Sequence, residues 1–429
     1  MGGRTKGRGP VLDRSVPVLV AKVGHYPLHH GGLGAARSLG RLGVRVFNVD
    51  STRSAPVLRS RYCRGKFIWD FDNVPPEKAV ESLTNVARKV GRRCILIPTS
   101  DRAAMFVAEH AAVLKEWFLF PAQTGALVHS LCSKKEMYHL ARKLRVPTPR
   151  TFCPQTRADL FEYLESVDLP IMIKGIDGQH AKNSRKPNLI IRARRELPEV
   201  YDLIRDAPVR HLIVQEYIPG GKDTVWLFNG YFNARAECLV GFTGRRLRQC
   251  PVYTGVTSLG ICQKNEIVEQ TVKKFMKALG YRGILDIEFC YDARDGQYKV
   301  LDVNPRIGAE FRLFVSAEGM DVARALYLDL TGQPVTPALA PEGRRWMVED
   351  FDLVASFRYH RDGTLTLQEW LKSLRGIQES ALLALDDPLP MLLTLRADVS
   401  ELWRRLKPFR QPDVPFEHRQ RRFGGFHIR

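Results

Sequence analysis

Two short acidic patterns near residue 290 have the residue types and spacing of a metal site. In LDIEF, Asp286 and Glu288 alternate with apolar residues, and in KVLDVNPR, Asp302 and Asn304 do the same. Because successive side chains of a β-strand point to opposite faces, each pair lies on one face of its strand. The ARDG sequence between the two patterns predicts a tight turn. The resulting hairpin would bring up to three carboxylates and one amide oxygen together.

Such a group of oxygens predicts bound divalent cations. Like charges facing each other across a sheet destabilise it, and buried carboxylates are costly unless they are paired or bind a metal. Mg²⁺ prefers oxygen ligands and usually keeps waters and substrate phosphate oxygens. We therefore predict a nucleotide–metal site on this face of the hairpin, with Mg²⁺ as the cation and Mn²⁺ as an alternative. The competing interpretation is a polar, solvent-facing sheet surface.

Three basic residues elsewhere in the sequence could bind phosphate next to this hairpin. Arg306 follows Asn304 by two residues and would hold a phosphoryl group through paired hydrogen bonds. Lys174 ends the apolar run LPIMIK before a polar loop, and Lys134 begins a predicted helix after Ser133. Both lysines are placed to meet phosphates, although a solvated surface lysine is the alternative in each case.

The segment QEYIPGGKD (215–223) has the form of a strand that runs into a turn. Backbone groups of Gln215, Glu216 and Ile218 could bond a planar base, and Asp223 could accept a hydrogen bond from a ribose. An ordinary edge strand and turn is the alternative.

The elements upstream predict a scaffold of alternating strands and helices. VPVLVAKVG, GGLGAARSLGRLG and VRVFNVD form a strand–helix–strand unit, and CILIPTSD adds a third strand. No GxGxxG motif stands in register, so a Rossmann-like scaffold without a dinucleotide site is favoured. We predict the following division: a basic tail (1–14), a Rossmann-like domain (15–125), a central domain (126–335) with a small lobe (about 148–216), and a C-terminal extension (336–429).

The amino-acid composition limits which classes of molecule this protein is expected to bind. The 429 residues carry a net charge of +20, but 44% are hydrophobic and 26% charged, which excludes a disordered polycation. No aromatic array accompanies the basic residues, so specific nucleic-acid binding is not expected. No apolar stretch approaches the roughly 18 residues of a membrane span. The eight cysteines are spread singly and predict reduced thiols in a cytoplasmic protein.

The C-terminal stretch DDPLPMLLTL precedes an Arg-rich amphipathic segment. Weak contact with an anionic membrane surface is one interpretation. Packing of this region against the core, for example through a helix over 399–406 with Leu402, Trp403 and Leu406 inward, is the favoured one.

The order SK…VPTP, PIMIKG, LIVQEYIPGGKD, RGILDIEF and KVLDVNPR, over about residues 130–330, resembles the ATP-grasp superfamily. RSLGRLG and the hairpin look most like its carboxylate–amine ligase branch, which contains D-aspartate ligase and predicted ATP-dependent carboligases. The resemblance implies an α/β (α+β) ATP-grasp fold, with an N-terminal Rossmann-like preATP-grasp domain and a C-terminal extension.

The resemblance also implies how ATP is bound. Lys134 and Lys174 would contact the α- and β-phosphates, and Asp223 would bond the ribose. The adenine-binding hinge would be formed by Gln215, Glu216, Tyr217 and Ile218.

For the metal site, the resemblance implies two Mg²⁺ ions bound by Glu288, Asp302 and Asn304, with Arg306 stabilising the transferred phosphoryl group. Many family members carry glutamate where this chain has Asp302. The loop after Lys174 is also more basic and less glycine-rich than is usual in the family.

The implied activity is phosphorylation of a substrate carboxylate by ATP, followed by attack of an amine on the acyl phosphate. Gly24, Gly31-Gly32, Asp101 and Arg248 are the expected surroundings of the acceptor carboxylate. The alternatives are a non-catalytic nucleotide- or nucleic-acid-binding protein, or an acid–thiol ligase or kinase on the same fold. The acid, the amine and the oligomeric state stay open.

Overall fold

The computed structural model describes residues 12–24, 28–69, 71, 74–175, 188–205, 207–219, 224–339 and 341–395. Their strands form three sheets, one parallel, one antiparallel and one mainly antiparallel. None of the helices in these ranges is both long enough and apolar enough to cross a membrane. All eight cysteines are free thiols, as predicted.

The N-terminal domain is a parallel sheet in the order β3-β2-β1-β4-β5. Its strands are β1 (Val18–Ala21), β2 (Val46–Asp50), β3 (Cys63–Ile68), β4 (Cys94–Pro98) and β5 (Phe118–Leu119), and its helices are α1 (His30–Arg41), α2 (Pro76–Val90), α3 (Asp101–Glu109) and α4 (Ala111–Leu114). Alternate residues of the apolar strand β1 pack on α1 and on α2 and α3, so both sheet faces are buried. The strand order reverses between β1 and β4, which opens a crevice at the carboxyl ends of these strands.

Two helices lead from this domain to a small antiparallel lobe. They are α5 (Gly125–Cys132) and α6 (Lys134–Lys143), and α6 begins as predicted, with the Ser133 hydroxyl accepting a hydrogen bond from the Glu136 N–H. The lobe contains β6 (Thr151–Phe152), α7 (Arg157–Ser166), β7 (Ile171–Gly175), β8 (Asn188–Ile191), α8 (Leu197–Ile204) and β9 (Leu212–Glu216). Its strand order is β6-β9-β7-β8, which puts β7 beside β9.

The third sheet has seven strands in the order β14-β13-β10-β11-β12-β15-β16. They are β10 (Val225–Phe232), β11 (Cys238–Cys250), β12 (Val256–Cys262), β13 (Gly283–Asp292), β14 (Gln297–Asn304), β15 (Arg345–Met347) and β16 (Ile377–Ser380), with helices α9 (Glu266–Leu279), α10 (Val322–Leu330), α11 (Glu349–Arg361) and α12 (Leu367–Ser373). The predicted hairpin is confirmed, because β13 and β14 pair antiparallel.

The segment after residue 336 is built into this sheet. Strand β15 pairs with β12, and β16 pairs with β15. Farther along, the buried Asp387 accepts a hydrogen bond from the buried Arg37 of α1 at 2.9 Å. The start of DDPLPMLLTL therefore packs against the core, whereas Leu392 near its end is exposed. The predicted helix over 399–406 and its three apolar residues lie outside the described residues.

Candidate active site

The hairpin register brings the predicted metal ligands together. Glu288 of β13 lies directly opposite Asp302 of β14, and Asp286 lies opposite Asn304. The Glu288 and Asp302 side chains are 22% and 33% exposed, whereas Asp286 is 4% exposed. Burial, together with the neighbouring carboxylates of Glu310 and Glu288, raises the pKa of Asp286 well above its usual value. The two facing carboxylates thus open toward a cleft, and Asp286 lies beneath.

Two lysines face these carboxylates. The Lys134 Nζ lies 3.5 Å from the Asp302 Oδ1, and this carboxylate is the largest influence raising the pKa of Lys134. The Lys174 Nζ donates a hydrogen bond to the Gln215 Oε1 at 2.8 Å. Burial and then the charge of Lys134 lower the pKa of Lys174 to about 8, while Asp302 and Glu288 oppose the shift. The lysines therefore share one cleft with the acidic hairpin.

Three strands of the small lobe hold Lys174. Strand β7 pairs with β9, which places Met172 opposite Gln215, and β6 pairs with β9 so that Thr151 also lies opposite Gln215. The Gln215 side chain donates to the Thr151 hydroxyl at 3.0 Å and accepts from Lys174. The sequence pointed only to the backbone of Gln215, whereas its side chain is a positioning group for the lysine.

Arg306 joins the acidic hairpin to the N-terminal domain. Its Nε donates to the Asp101 Oδ1 at 2.6 Å, and one terminal nitrogen donates to the Asn304 Oδ1 at 2.9 Å. A second terminal nitrogen donates to the Ile307 carbonyl at 3.2 Å. Two residues that were predicted separately, Asp101 and Arg306, are therefore in direct contact.

Sequence reasoning missed two buried residues of this cleft, Arg246 and Glu310. The Arg246 guanidinium pairs with the Glu288 Oε1 at 2.5 Å and lies 3.5 Å from the Glu310 Oε1. Its Nε donates to the Thr257 hydroxyl at 2.8 Å. Arg246 belongs to the strand-forming run RRLRQ, from which only Arg248 was predicted as a site residue. Considering every arginine of this run would have included Arg246.

The structure gives Arg248 a different position from the one expected. Strand β11 has register shifts on both sides of Arg248, against β12. Such irregularities redirect side chains. The Arg248 guanidinium makes two hydrogen bonds to Asp352 of α11, at 2.7 and 2.8 Å, and a third to Ser373. Arg248 thus forms a buried ion pair with the C-terminal segment, and we leave it out of the proposed site.

The predicted hinge begins with the last two residues of β9, Gln215 and Glu216, and continues into Tyr217 and Ile218. The N–H of Glu216 donates to the Arg150 carbonyl at 2.8 Å, and that of Tyr217 donates to the Pro170 carbonyl at 3.1 Å. The Glu216 carboxylate accepts a hydrogen bond from Arg294 at 2.5 Å, which ties the hinge to the hairpin. Ile218 is 7% exposed. The N–H groups of Glu216 and Tyr217 are thus already bonded, and the predicted ribose ligand Asp223 lies outside the described residues.

The predicted surroundings of the acceptor carboxylate lie where the N-terminal domain meets the Arg306 segment. Gly24 follows β1 with a φ of +80°. A Cβ atom on Gly31, in the first turn of α1, would lie 2.9 Å from the Gly308 carbonyl oxygen, so only glycine permits this approach. Together with the Asp101–Arg306 contact, these positions line the crevice between β1 and β4.

The oxygen groups of the hairpin fit Mg²⁺ as one part of its coordination shell. Within the described ranges, no three His, Cys, Asp or Glu side chains form a metal-binding group. The predicted set has two facing carboxylates and one amide, and Mg²⁺ commonly takes one or two carboxylates and completes its shell with phosphate and water. Lys134 contacts Asp302 and Arg246 contacts Glu288, so these two basic side chains balance the negative charge of the facing carboxylates.

Comparison with known proteins shows a likeness over the part of the chain that carries most of this geometry. A family model for the ATP-grasp domain matches residues 132–310. Residues 132–310 form an ATP-grasp domain. Both lysines, the predicted hinge residues Gln215–Ile218, the acidic hairpin and Arg306 lie within the ATP-grasp domain, whereas Gly24 and Asp101 lie outside it.

Relatives extend the likeness beyond the ATP-grasp domain. D-aspartate ligase of Enterococcus faecium is 25% identical over 306 residues, which are 68% of this chain and 72% of the relative. Carbamoyl phosphate synthase large chain of Methanosphaerula palustris is 23% identical over 192 residues, and the chain spans only 17% of that protein.

Solved structures show the same fold. Staphylococcus aureus N5-carboxyaminoimidazole synthetase, complexed with ADP, aligns with a TM-score of 0.60 and 15% identity over 78% of this chain and 82% of that one. The L-amino acid ligase of Bacillus licheniformis aligns with a TM-score of 0.56 and 16% identity over 74% and 75% of the two chains. The predicted ATP-grasp fold is therefore confirmed.

Proposed function

We propose that this protein is an ATP-dependent carboxylate–amine ligase that joins a small carboxylic acid to an amine and releases ADP and phosphate. One observation supports this proposal most strongly. A single cleft contains two lysines, two facing carboxylates and an arginine: Lys134, Lys174, Glu288, Asp302 and Arg306. The names of its relatives, a D-aspartate ligase and carbamoyl phosphate synthases, support this chemistry.

Binding of ATP follows from the charges. Lys134 and Lys174 would contact its phosphates, and residues 215–218 would receive the adenine. Glu288, Asp302 and Asn304 would hold Mg²⁺, which when bound neutralises phosphate charge and orients the γ-phosphoryl group.

The first chemical step transfers a phosphoryl group. A carboxylate oxygen of the acid attacks the γ-phosphorus in line, the bond from that phosphorus to the β–γ bridging oxygen breaks, and ADP leaves with the bond electrons. Arg306 would stabilise the negative charge on the transferred group through hydrogen bonds that form as it moves. Asp101, which bonds the Arg306 Nε, would hold the guanidinium in position.

The second step forms the product. The amine nitrogen attacks the acyl carbon of the acyl phosphate, phosphate leaves, and the nitrogen loses a proton, so that an amide bond remains. No side-chain nucleophile is required, because the acyl phosphate is already activated. The expected cytoplasmic location agrees with dependence on ATP.

The test is release of ADP and formation of a hydroxamate when the protein is given Mg²⁺, ATP, a panel of acids and hydroxylamine as the amine. We expect ADP release that requires the acid. Lys174→Met and Glu288→Gln should each lower kcat/KM at least about 100-fold, since the first removes a charge that would contact the ATP phosphates and the second removes one that would hold Mg²⁺. The exposed Glu81→Gln variant is the control and should retain wild-type activity. Unchanged turnover in both site variants contradicts the proposal.

The alternatives give different outcomes. A kinase acting on an alcohol would release ADP but form no hydroxamate, whereas a carboxylate kinase would release its acyl phosphate and give hydroxamate even when hydroxylamine is added after the protein has been removed. An acid–thiol ligase would require a thiol in the amine's place. A non-catalytic nucleic-acid-binding protein would release no ADP and would bind DNA or RNA with a steep dependence on salt.

A further inference from the structure

Exposed leucines are concentrated in the segment that ends the described part of the chain. Residues 389–395 are helical, and Met391 packs against the core. Leu389, Leu392 and Leu395 recur every three residues, so they share one side of this helix and face solvent. Leu385, just before it, is 96% exposed. We call the exposed leucines of this segment the leucine strip: Leu383, Leu385, Leu389, Leu392 and Leu395.

A strongly basic stretch of the N-terminal domain adjoins this strip. Residues 41–66 contain seven basic side chains and one acidic side chain, that of Asp50, which is buried. On the edge strand β3, the exposed Arg64 and Lys66 alternate with the half-buried Gly65. Among the described residues, no carboxylate forms an ion pair with the exposed side chains that we call the basic face: Arg45, Arg53, Arg59, Arg64 and Lys66.

Hydrogen bonds join the leucine strip to the basic face. The Ser60 hydroxyl donates to the Asp387 Oδ2 at 2.7 Å, and the Tyr62 hydroxyl donates to the Asp386 Oδ2 at 2.6 Å. The leucine strip lies on both sides of these two aspartates in the chain, and the basic face lies on both sides of Ser60 and Tyr62. Apolar and basic side chains are therefore neighbours on one surface.

The two aspartates do not make this surface acidic. Asp387 is buried and pairs with Arg37 at 2.9 Å, and Asp386 pairs with Arg41 at 2.8 Å. The surface thus combines exposed leucines with an excess of positive charge. Exposed apolar patches of this kind commonly mark sites of interaction.

An anionic lipid bilayer matches both properties. Its headgroups attract basic side chains, and the boundary between headgroups and acyl chains accepts leucines. A nucleic acid would attract the arginines but would leave the leucines in water. A second copy of this chain would bring a surface of the same charge, and like charges across an interface oppose association.

We propose that the leucine strip and the basic face together bind this protein to the surface of an anionic lipid bilayer. The helix over residues 389–395 lies in the plane of the membrane, with its leucines at the acyl-chain boundary and the basic face against lipid phosphates. None of these residues belongs to the proposed active site, so the contact is independent of the proposed ligase function.

Sedimentation of the full chain with lipid vesicles tests the proposal. We expect binding to vesicles of equal parts phosphatidylglycerol and phosphatidylcholine, much weaker binding to phosphatidylcholine alone, and a loss of binding as salt is added. Arg59→Ser with Arg64→Ser should weaken binding roughly 30-fold, since each basic residue at an anionic surface contributes about fivefold. Leu385→Ser with Leu392→Ser should weaken it at least about tenfold, because less apolar surface is buried.

Two further double variants are the matched controls. Lys78→Ser with Lys89→Ser removes two exposed lysines of α2, which packs on the face of the parallel sheet opposite α1. Leu203→Ser with Ile267→Ser removes two exposed apolar side chains outside the leucine strip. Neither control should change vesicle binding, and neither pair at the proposed surface should change ADP release.

Several results overturn the proposal. These are no binding of the full chain to anionic vesicles, equal binding to both kinds of vesicle, or loss of binding in the arginine variant alone. A leucine variant that turns a dimer into a monomer, without vesicle binding by the wild type, assigns the surface to self-association instead. RNA that binds the basic face while anionic vesicles do not assigns it to nucleic acid. The wild-type comparison of the two vesicles decides even if a variant does not fold.

Discussion

At the scale of single residues, the site works by opposing charges that are partly withdrawn from water. Lys134 and Lys174 repel each other, and both are attracted by Asp302 and Glu288. The lysine nearer the carboxylates has a raised pKa, whereas Lys174, which bonds the neutral Gln215, has a lowered one. Environment therefore gives two identical side chains different protonation behaviour.

This difference predicts a pH dependence of nucleotide binding. With a pKa of about 8, Lys174 loses its charge as pH rises above that value. We expect the Kd of ATP to increase between pH 7.5 and 9.5, by up to about tenfold per pH unit, since binding requires the ammonium form. Lys174→Arg should show a flatter profile, because a guanidinium stays charged over this range. Fluorescence titration with a nucleotide analogue measures both profiles.

Unfolding would not explain such a loss. The pKa of Lys174 lies below its usual value of 10.5, so between about pH 8 and 10.5 the unfolded chain binds more protons than the folded one. Stability from this group then rises with pH in that window. A Tm that falls in parallel with affinity would contradict the assignment to Lys174.

At the scale of elements, the site depends on how closely the segment after β14 crosses the hairpin. A Cβ atom on Gly308 would lie 2.3 Å from the Asp286 Oδ2, which is far inside contact distance. Asp286 is buried opposite Asn304, and Arg306 lies two residues before Gly308. The position of Arg306 is therefore coupled to the absence of a side chain at residue 308.

Gly308→Ala should displace this segment. We expect a loss of about 1–3 kcal/mol in the free energy of unfolding, as for overpacked sites, and a fall in kcat as Arg306 moves. Urea denaturation and ADP release measure the two effects. Gly125→Ala is the control, because a Cβ there would meet its nearest neighbour at an ordinary 3.7 Å. Equal behaviour of the two variants contradicts the coupling.

At the scale of the whole molecule, the C-terminal segment contacts both the large sheet and the N-terminal domain. Two of its strands extend the seven-stranded sheet, and Asp352 of α11 pairs with Arg248. Asp387 accepts hydrogen bonds from Arg37, from the Ser60 hydroxyl at 2.7 Å and from the Arg61 N–H at 2.8 Å. The N-terminal domain and the large sheet are thus bridged by residues far apart in the chain.

Asp387→Ala should therefore destabilise the protein strongly. It leaves the Arg37 guanidinium, 2% exposed, without its carboxylate, and breaking a buried pair costs about 3–5 kcal/mol. The adjacent Asp386→Ala removes a carboxylate that is 42% exposed and should cost no more than about 1 kcal/mol. Denaturant unfolding compares the two, and similar losses would contradict a bridging role for Asp387.

The sequence by itself determined the elements whose pattern is local. Alternation in LDIEF and KVLDVNPR predicted which hairpin face carries Asp286, Glu288, Asp302 and Asn304, because a strand's side-chain period is fixed at two residues. Ser133 predicted the start of α6 by its hydrogen-bonding chemistry. The order of motifs predicted the ATP-grasp fold.

Only the tertiary structure decided which distant side chains meet. Arg246 and Arg248 stand two residues apart on one strand, yet one pairs with Glu288 and the other with Asp352, because register shifts interrupt the strand's alternation. Contacts of this kind are set by the packing of whole elements, which local spacing does not encode.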